Sequence, residues 1–486
     1  MGAVTHYDLA IIGTGSGNSV PDERFADKRI ALLEKGTFGG TCLNVGCIPT
    51  KMFVYPADLA HHAAYARDLG VDLRLDGVRW TEIRDRIFKR IDPISVSGQQ
   101  WREDNENIDL YQAEARFTGP HQIDTGTGQT ITADQIVLAA GSRAVVPEIP
   151  GLDPSTGSGT GVPFHTSDTI MRIDEVPRRL AIVGGGFVAA EFAHVFGSFG
   201  SEVTVINRSA ALLREEDDDI SARFTEQAQE QWDVRLNKVV SKVEKYDGGI
   251  RLHLSTELSD PQGAIAPPGS DNSVLEVDTL LIAIGRAPNS DLLDLDATGV
   301  VVDDDGLVVV DEYQRTNVEG IWALGDISGA HQLKHVANLE ARVVQHNLLH
   351  PDDLVAADHR FVPSAVFTSP QVASVGITER EAIDQGLRYV TSRQSYGDVA
   401  YGWAMEDTTG FVKLVADPQT GLLLGGHIIG PQASNLVQPL IQAMSFGQTV
   451  REVAREQYWI HPALSEVVEN ALLGLATDEP STATPG

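Results

Sequence analysis

Both cysteines of this 486-residue chain fall in one short stretch, Gly39-Gly40-Thr41-Cys42-Leu43-Asn44-Val45-Gly46-Cys47-Ile48-Pro49-Thr50-Lys51. A pair this close can open and close as a redox disulfide, with the thiolate as the attacking form. It can equally be two small buried hydrophobes or half of a zinc site. Zinc would need further ligands at a fitting spacing, and no cysteine remains to supply them. Pro49 reads as a turn or first helical position, with Thr50-Lys51-Met52-Phe53 beginning a helix. A thiol at such a helix start is shifted toward thiolate.

The second reactive candidate is His461, followed by Pro462, with Glu466 five residues on. An imidazole titrates near neutral pH, and a carboxylate on one ring nitrogen raises the basicity of the other. The plainer alternative is a solvent-facing imidazole at a helix start. The remaining histidines, His61-His62 among them, show no metal-ligand spacing, so no metal is expected.

Such groups need elements to position them. Residues 7–12 read as a buried parallel strand running into Gly13-Thr-Gly15-Ser-Gly17-Asn18. Gly13 permits a tight turn, Gly15 lets a pyrophosphate approach the backbone, and the helix expected next would offer its N–H groups to phosphate. The third fingerprint position holds Asn18 instead of Gly or Ala, which questions close helix–strand packing there. A second strand ends in Glu34, about 20 residues on, where an acid can take a ribose 2′-OH.

The pattern returns at residues 179–183, followed by Gly184-Gly-Gly186-Phe-Val-Ala189, a G-x-G-x-x-A turn between strand and helix. Two such units suggest two different dinucleotides. The next strand ends in Asn207-Arg208, with Arg214 nearby and no acid to repel a 2′-phosphate, which favours NADP over NAD. The acidic run 215–219 reads as an exposed first turn of helix. Residues 52–68 and 80–101 read as helices, 151–164 as a linker, and 257–275 as an exposed hairpin extension. From 360 the character changes: strands are expected at 361–367, 390–396, 411–416 and 422–429, and helices near 431–446 and 463–474. The tail 476–486 reads as disordered.

Composition narrows the partners. There are 68 acidic against 37 basic residues, a formal net charge of −31, which disfavours nucleic acid. The uncharged stretch 421–450 is interrupted by Gly, Pro, Gln and Asn, so no membrane span is expected. No basic segment precedes the first strand, so no secretory signal is expected, and the paired cysteines suit a reducing cytoplasm.

Residues 39–51 resemble, almost letter for letter, the active-site segment of the class I flavoprotein disulfide reductases. The resemblance runs from about 7 to 475. It implies an α/β fold with two Rossmann-like dinucleotide-binding domains and an α+β dimerisation domain. The implied boundaries are 1–150 with 291–357 for FAD, 151–290 for NADPH, and 358–475 for dimerisation. It implies FAD contacts at Gly13, Gly15, Glu34, Gly40, Thr41, Lys51, Gly141, Gly325 and Asp326, and NADPH contacts at Gly184, Gly186, Arg208, Arg214 and Gly285. It implies that Cys47 lies against the flavin, that Cys42 attacks substrate, and that Lys51, one turn past Cys47, pairs with Glu191. His461 and Glu466 are implied to act in the partner's site of a homodimer.

Within the family, residues 13–19, 186–195, 396–407 and 458–464 resemble the members that act on mycothiol disulfide, a small-molecule substrate reduced by NADPH. Dihydrolipoamide dehydrogenase is the nearest alternative, disfavoured by Asn207-Arg208. Mercuric and large thioredoxin reductases use a further cysteine pair, absent here. A flavin-bound redox sensor would have no use for the second dinucleotide fold.

Overall fold

Three main sheets organise the computed structural model, which describes residues 4–152, 161–256 and 273–475. The first places strands Ile108–Tyr111, Ile30–Leu33, Thr5–Ile12 and Thr130–Leu138 side by side and parallel, and Ile321–Ala323 returns late in the chain to pair with the last of them. The central strands are nearly all apolar because both faces are covered; every residue of Ile30–Leu33 is buried. Register brings Ile12 opposite both Leu33 and Leu138, so the turn at Gly13 opens beside Glu34 and Ala139.

The second sheet repeats the plan with parallel strands Asp233–Leu236, Glu202–Asn207, Arg179–Val183 and Thr279–Ile282. A three-stranded antiparallel sheet follows it, Lys238–Tyr246, Gly249–Thr256 and Ser273–Val277. The third main sheet is antiparallel, in the order Pro363–Val366, Val372–Gly376, Leu423–Ile429, Phe411–Ala416, Val390–Ser395. Four of these five strands are predicted from sequence. Val372–Gly376 is not, because a five-residue run between Pro370 and Gly376 carries little pattern of its own. The single helix expected at 431–446 is two, Ala433–Leu436 and Gln438–Ser445, with Pro439 in the first turn of the second. Most of 257–275, residues 153–160 of the linker, and the tail 476–486 lie outside the described residues.

Three expectations are corrected. No α-helix follows the Gly13 turn. The chain makes two short 3₁₀ turns, Gly17–Ser19 and Glu23–Phe25, separated by Pro21, which lacks the N–H a continuing helix requires. The helix after the cysteines starts at Cys47, not Thr50, and runs to Tyr65, with Pro49 in its first turn, where no intrahelical N–H is needed. The acidic run 215–219 is not simply exposed. Asp217, the N-cap of the Asp218–Gln231 helix, is buried, and its Oδ1 accepts from Lys413 Nζ at 2.8 Å. That cation comes from the third sheet and makes the burial tolerable.

Candidate active site

The cysteines sit on two consecutive helices, one short and one long, joined through Val45 and Gly46. Cys42 lies in the Gly40–Asn44 helix and Cys47 is the first residue of the Cys47–Tyr65 helix. Gly40 has φ 70°, and a Cβ there would come within 2.6 Å of Gly15 Cα, so the cysteine segment lies directly on the first dinucleotide turn. Asn44 Nδ2 ties the segment back by donating to Phe38 O at 2.9 Å and Gly40 O at 3.0 Å.

Both thiols are free. Their environments push them apart. The Cys47 thiol donates to the Cys42 sulfur, which, with Lys334 and the backbone N–H groups of Ile48 and Cys47, pulls Cys42 down to about 7 against the opposing effect of burial. The same hydrogen bond raises Cys47, helped by desolvation, the Cys42 charge and Asp326. Cys42 is thereby favoured as thiolate and Cys47 as thiol.

Lys51 and Glu191 do not form the direct ion pair expected from sequence. Lys51 Nζ lies 3.9 Å above the centre of the Phe367 ring, while Glu191 Oε1 accepts from Phe367 N at 3.0 Å. Both thus touch Phe367, one its ring and the other its backbone N–H, a residue the sequence does not single out. Burial lifts Glu191 to about 7 and lowers Lys51, each opposed by the charge of the other.

The two dinucleotide turns share one construction. Gly13 N donates to Leu33 O and Gly184 N to Ile206 O, at 2.8 and 2.9 Å. A Cβ on Gly13 would lie 2.2 Å from Ala139 O, and one on Gly184 would lie 2.1 Å from Ala283 O. Only glycine fits where each strand meets its neighbour. Glu34 at the end of its strand accepts from Thr14 N and Gly36 N at 3.0 and 2.8 Å, which holds the first turn in shape. Asn18, the departure from the fingerprint, is gripped by Arg102, whose Nε donates to Asn18 Oδ1 at 2.8 Å. The close packing falls to Gly17, where a Cβ would be 2.7 Å from that of Ala139.

A cavity of about 1280 Å³ joins these parts. Its wall carries Gly13, Gly15, Glu34, Gly40, Thr41, Cys42, Cys47, Lys51, Gly141, Gly325 and Asp326 from the first half. From the second it carries Gly184, Gly186, Glu191, Arg208 and Arg214. Gly285, expected to contact NADPH, does not line it; its neighbours Ile284 and Arg286 do. His461 and Glu466 do not line it either. They pair with each other, Glu466 Oε1 accepting from His461 Nδ1 at 2.7 Å, which lowers the Glu466 carboxyl. His461 stays 70% exposed beside the exposed Tyr458 and Ile460. Lys334 was missed: its Nζ donates to Ser16 Oγ at 2.8 Å and its charge stabilises the Cys42 thiolate. A signal existed, since a lysine opening the Lys334–Leu349 helix opposes the helix dipole and needs a reason.

Residues 7–341 match the pyridine nucleotide-disulphide oxidoreductase family, and residues 362–472 match its dimerisation domain. The chain belongs to this family. It is 53% identical to mycothione reductase of Mycobacterium tuberculosis (strain H37Rv), over 96% of this chain and 99% of the relative. Dihydrolipoyl dehydrogenase of Haloferax volcanii is 33% identical over 96% and 97% of the two chains. The HOCl-induced flavoprotein disulfide reductase RclA of Escherichia coli superposes with a TM-score of 0.81 at 27% identity, covering 96% and 99%. The family member described here is thus an oxidoreductase with a redox-active cysteine pair, and its cofactors are the family's, FAD and NADPH. The paired glycine turns and the long cavity joining them to the thiols fit two dinucleotides. Among the described residues no cluster could hold a metal ion, and no helix is long and apolar enough to cross a membrane.

Proposed function

We propose that the chain reduces mycothiol disulfide to mycothiol at the expense of NADPH, as a cytoplasmic homodimer whose two sites are each built from both subunits. The observation that carries the substrate is the 53% identity with mycothione reductase across nearly the full length of both chains. The dithiol on the cavity wall supports the reaction type.

The Cys42 thiolate attacks one sulfur of the substrate, forming a mixed disulfide as the substrate S–S bond breaks and one thiolate leaves. His461, held by Glu466, gives that thiolate its proton. Cys47 then attacks the Cys42 sulfur, its proton passing through the now neutral His461 to the second substrate sulfur as that sulfur leaves. This releases the second thiol and closes the Cys42–Cys47 disulfide. FAD, when bound, would supply the two-electron redox chemistry that links NADPH to this disulfide. Gly13, Gly15, Glu34, Gly40, Thr41, Lys51, Gly141, Gly325 and Asp326 would hold FAD. Gly184, Gly186, Arg208 and Arg214 would hold NADPH. Glu191 fixes the backbone at Phe367 and so the ring under Lys51.

NADPH oxidation should be measured with mycothiol disulfide, glutathione disulfide and lipoamide in parallel. The first should be preferred by at least about tenfold in kcat/KM, a 1.4 kcal/mol difference. Lipoamide turning over as fast or faster would refute the substrate assignment. For the coenzyme, Arg208→Glu should cut the NADPH/NADH ratio of kcat/KM by roughly ten- to a hundredfold, the worth of a lost charge-assisted bond. An unchanged ratio would show that Arg208 points elsewhere.

A further inference from the structure

The loop carrying Arg208 and Arg214 is anchored on two sides. Toward the second dinucleotide turn, Leu213 N donates to Gly185 O at 2.8 Å, and Asn207 Nδ2 donates to Ala211 O at 2.8 Å. Leu213 sits at φ 49°, a left-handed conformation that a leucine adopts only when its surroundings impose it.

Toward the third sheet the anchors are ionic. Lys413 Nζ lies 2.8 Å from Asp217 Oδ1, 2.8 Å from Asp219 Oδ2 and 2.7 Å from Glu379 Oε2. Asp217 Oδ2 accepts from Glu379 N at 3.1 Å. Arg380, the next residue, pairs with Asp218 and donates from Nη2 to the backbone carbonyl of Arg214 at 3.2 Å. Arg380 does not line the cavity, yet it holds the main chain of a residue that does. The segment it holds runs Glu215-Glu216-Asp217-Asp218-Asp219, five carboxylates in a row. Loose, such a run would repel any anion bound at Arg208 and Arg214. Asp217, Asp218 and Asp219 are drawn to Lys413 and Arg380, while Glu215 and Glu216 stay on the cavity wall and Glu215 Oε1 accepts from Arg214 Nε at 3.0 Å.

We propose that Arg380, seated by the Lys413 cluster, is a positioning residue for the 2′-phosphate of the coenzyme: the Glu379–Asp384 helix, held against Lys413 of the third sheet, sets the loop through which NADPH is told from NADH. The proposal rests on reading Arg208 and Arg214 as the 2′-phosphate site. An ion cluster that merely joined two domains would move the melting temperature and leave coenzyme discrimination alone.

Binding of 2′,5′-ADP and 5′-AMP to the holoenzyme by calorimetry, with KM for NADPH and NADH, tests it. Arg380→Ala removes a half-exposed side chain. It should lower the preference for 2′,5′-ADP over 5′-AMP by about three- to tenfold, the scale of one ordinary hydrogen bond, because Arg380 acts through the loop and does not touch the ligand. KM for NADPH should rise in step, with KM for NADH and kcat within about twofold. Asp218→Asn separates positioning from bare charge. Removing a negative charge alone would tighten 2′,5′-ADP, whereas unseating Arg380 should weaken it. An unchanged preference in Arg380→Ala, equal weakening of both ligands, or tighter 2′,5′-ADP in Asp218→Asn would each overturn the proposal. Wild-type protein with no preference for 2′,5′-ADP would instead remove the underlying reading of Arg208 and Arg214.

Discussion

Cys42→Ser should abolish disulfide turnover, lowering kcat by about a thousandfold or more, while NADPH oxidation with an artificial electron acceptor persists. A serine hydroxyl is not ionised at neutral pH and cannot form the mixed disulfide. The variant leaves the two dinucleotide turns, and so the path from NADPH, untouched. The stronger arm of the test is the pH dependence of the wild-type thiol. Cys42 is held at about 7, so its alkylation by iodoacetamide in the dithiothreitol-reduced protein should rise with pH about a midpoint near 7. The largest cause is the hydrogen bond from Cys47. Cys47→Ala removes that donor and should move the midpoint upward, toward the ordinary thiol range. Lys334→Met should move it the same way, by loss of a favourable charge. A Cys42→Ser protein that still turns over disulfide, or a midpoint unmoved in Cys47→Ala, would show that the roles of the two thiols are reversed or that their coupling is absent.

What could be read from sequence follows from what is local. The parallel strands were legible because burial on both faces makes them uninterrupted apolar runs; residues 179–183 have the bounds expected of them. Both glycine turns were legible because each is built from neighbours in sequence. What escaped depends on contacts between distant residues. Asp217 is buried only because Lys413 reaches it from 196 positions away. Asn18 takes the place of a packing glycine because Arg102, 84 positions on, grips it. Lys51 meets Phe367 instead of Glu191 directly, and the 3₁₀ path after Gly13 turns on Pro21, whose effect was overlooked although it is local. His461 and Glu466 were legible as a pair, but neither reaches the cavity of its own chain.

That separation gives the last prediction. The family's dimerisation domain covers residues 362–472, which include His461, and the exposed Tyr458 and Ile460 beside it are apolar side chains suited to a partner surface. If each site takes its thiols from one subunit and its imidazole from the other, two inactive homodimers can repair each other. Cys42→Ser and His461→Ala should each be inactive alone. A mixed dimer puts both lesions into one site and leaves the other whole. Random reassembly makes about half of the dimers mixed, each with one working site of two, so activity should recover to about a quarter of wild type. Distinguishable tags must show that subunits exchange, and each variant must retain FAD. Confirmed mixed dimers that stay inactive would mean that His461 serves its own subunit or takes no part in catalysis, and the shared-site arrangement would fall.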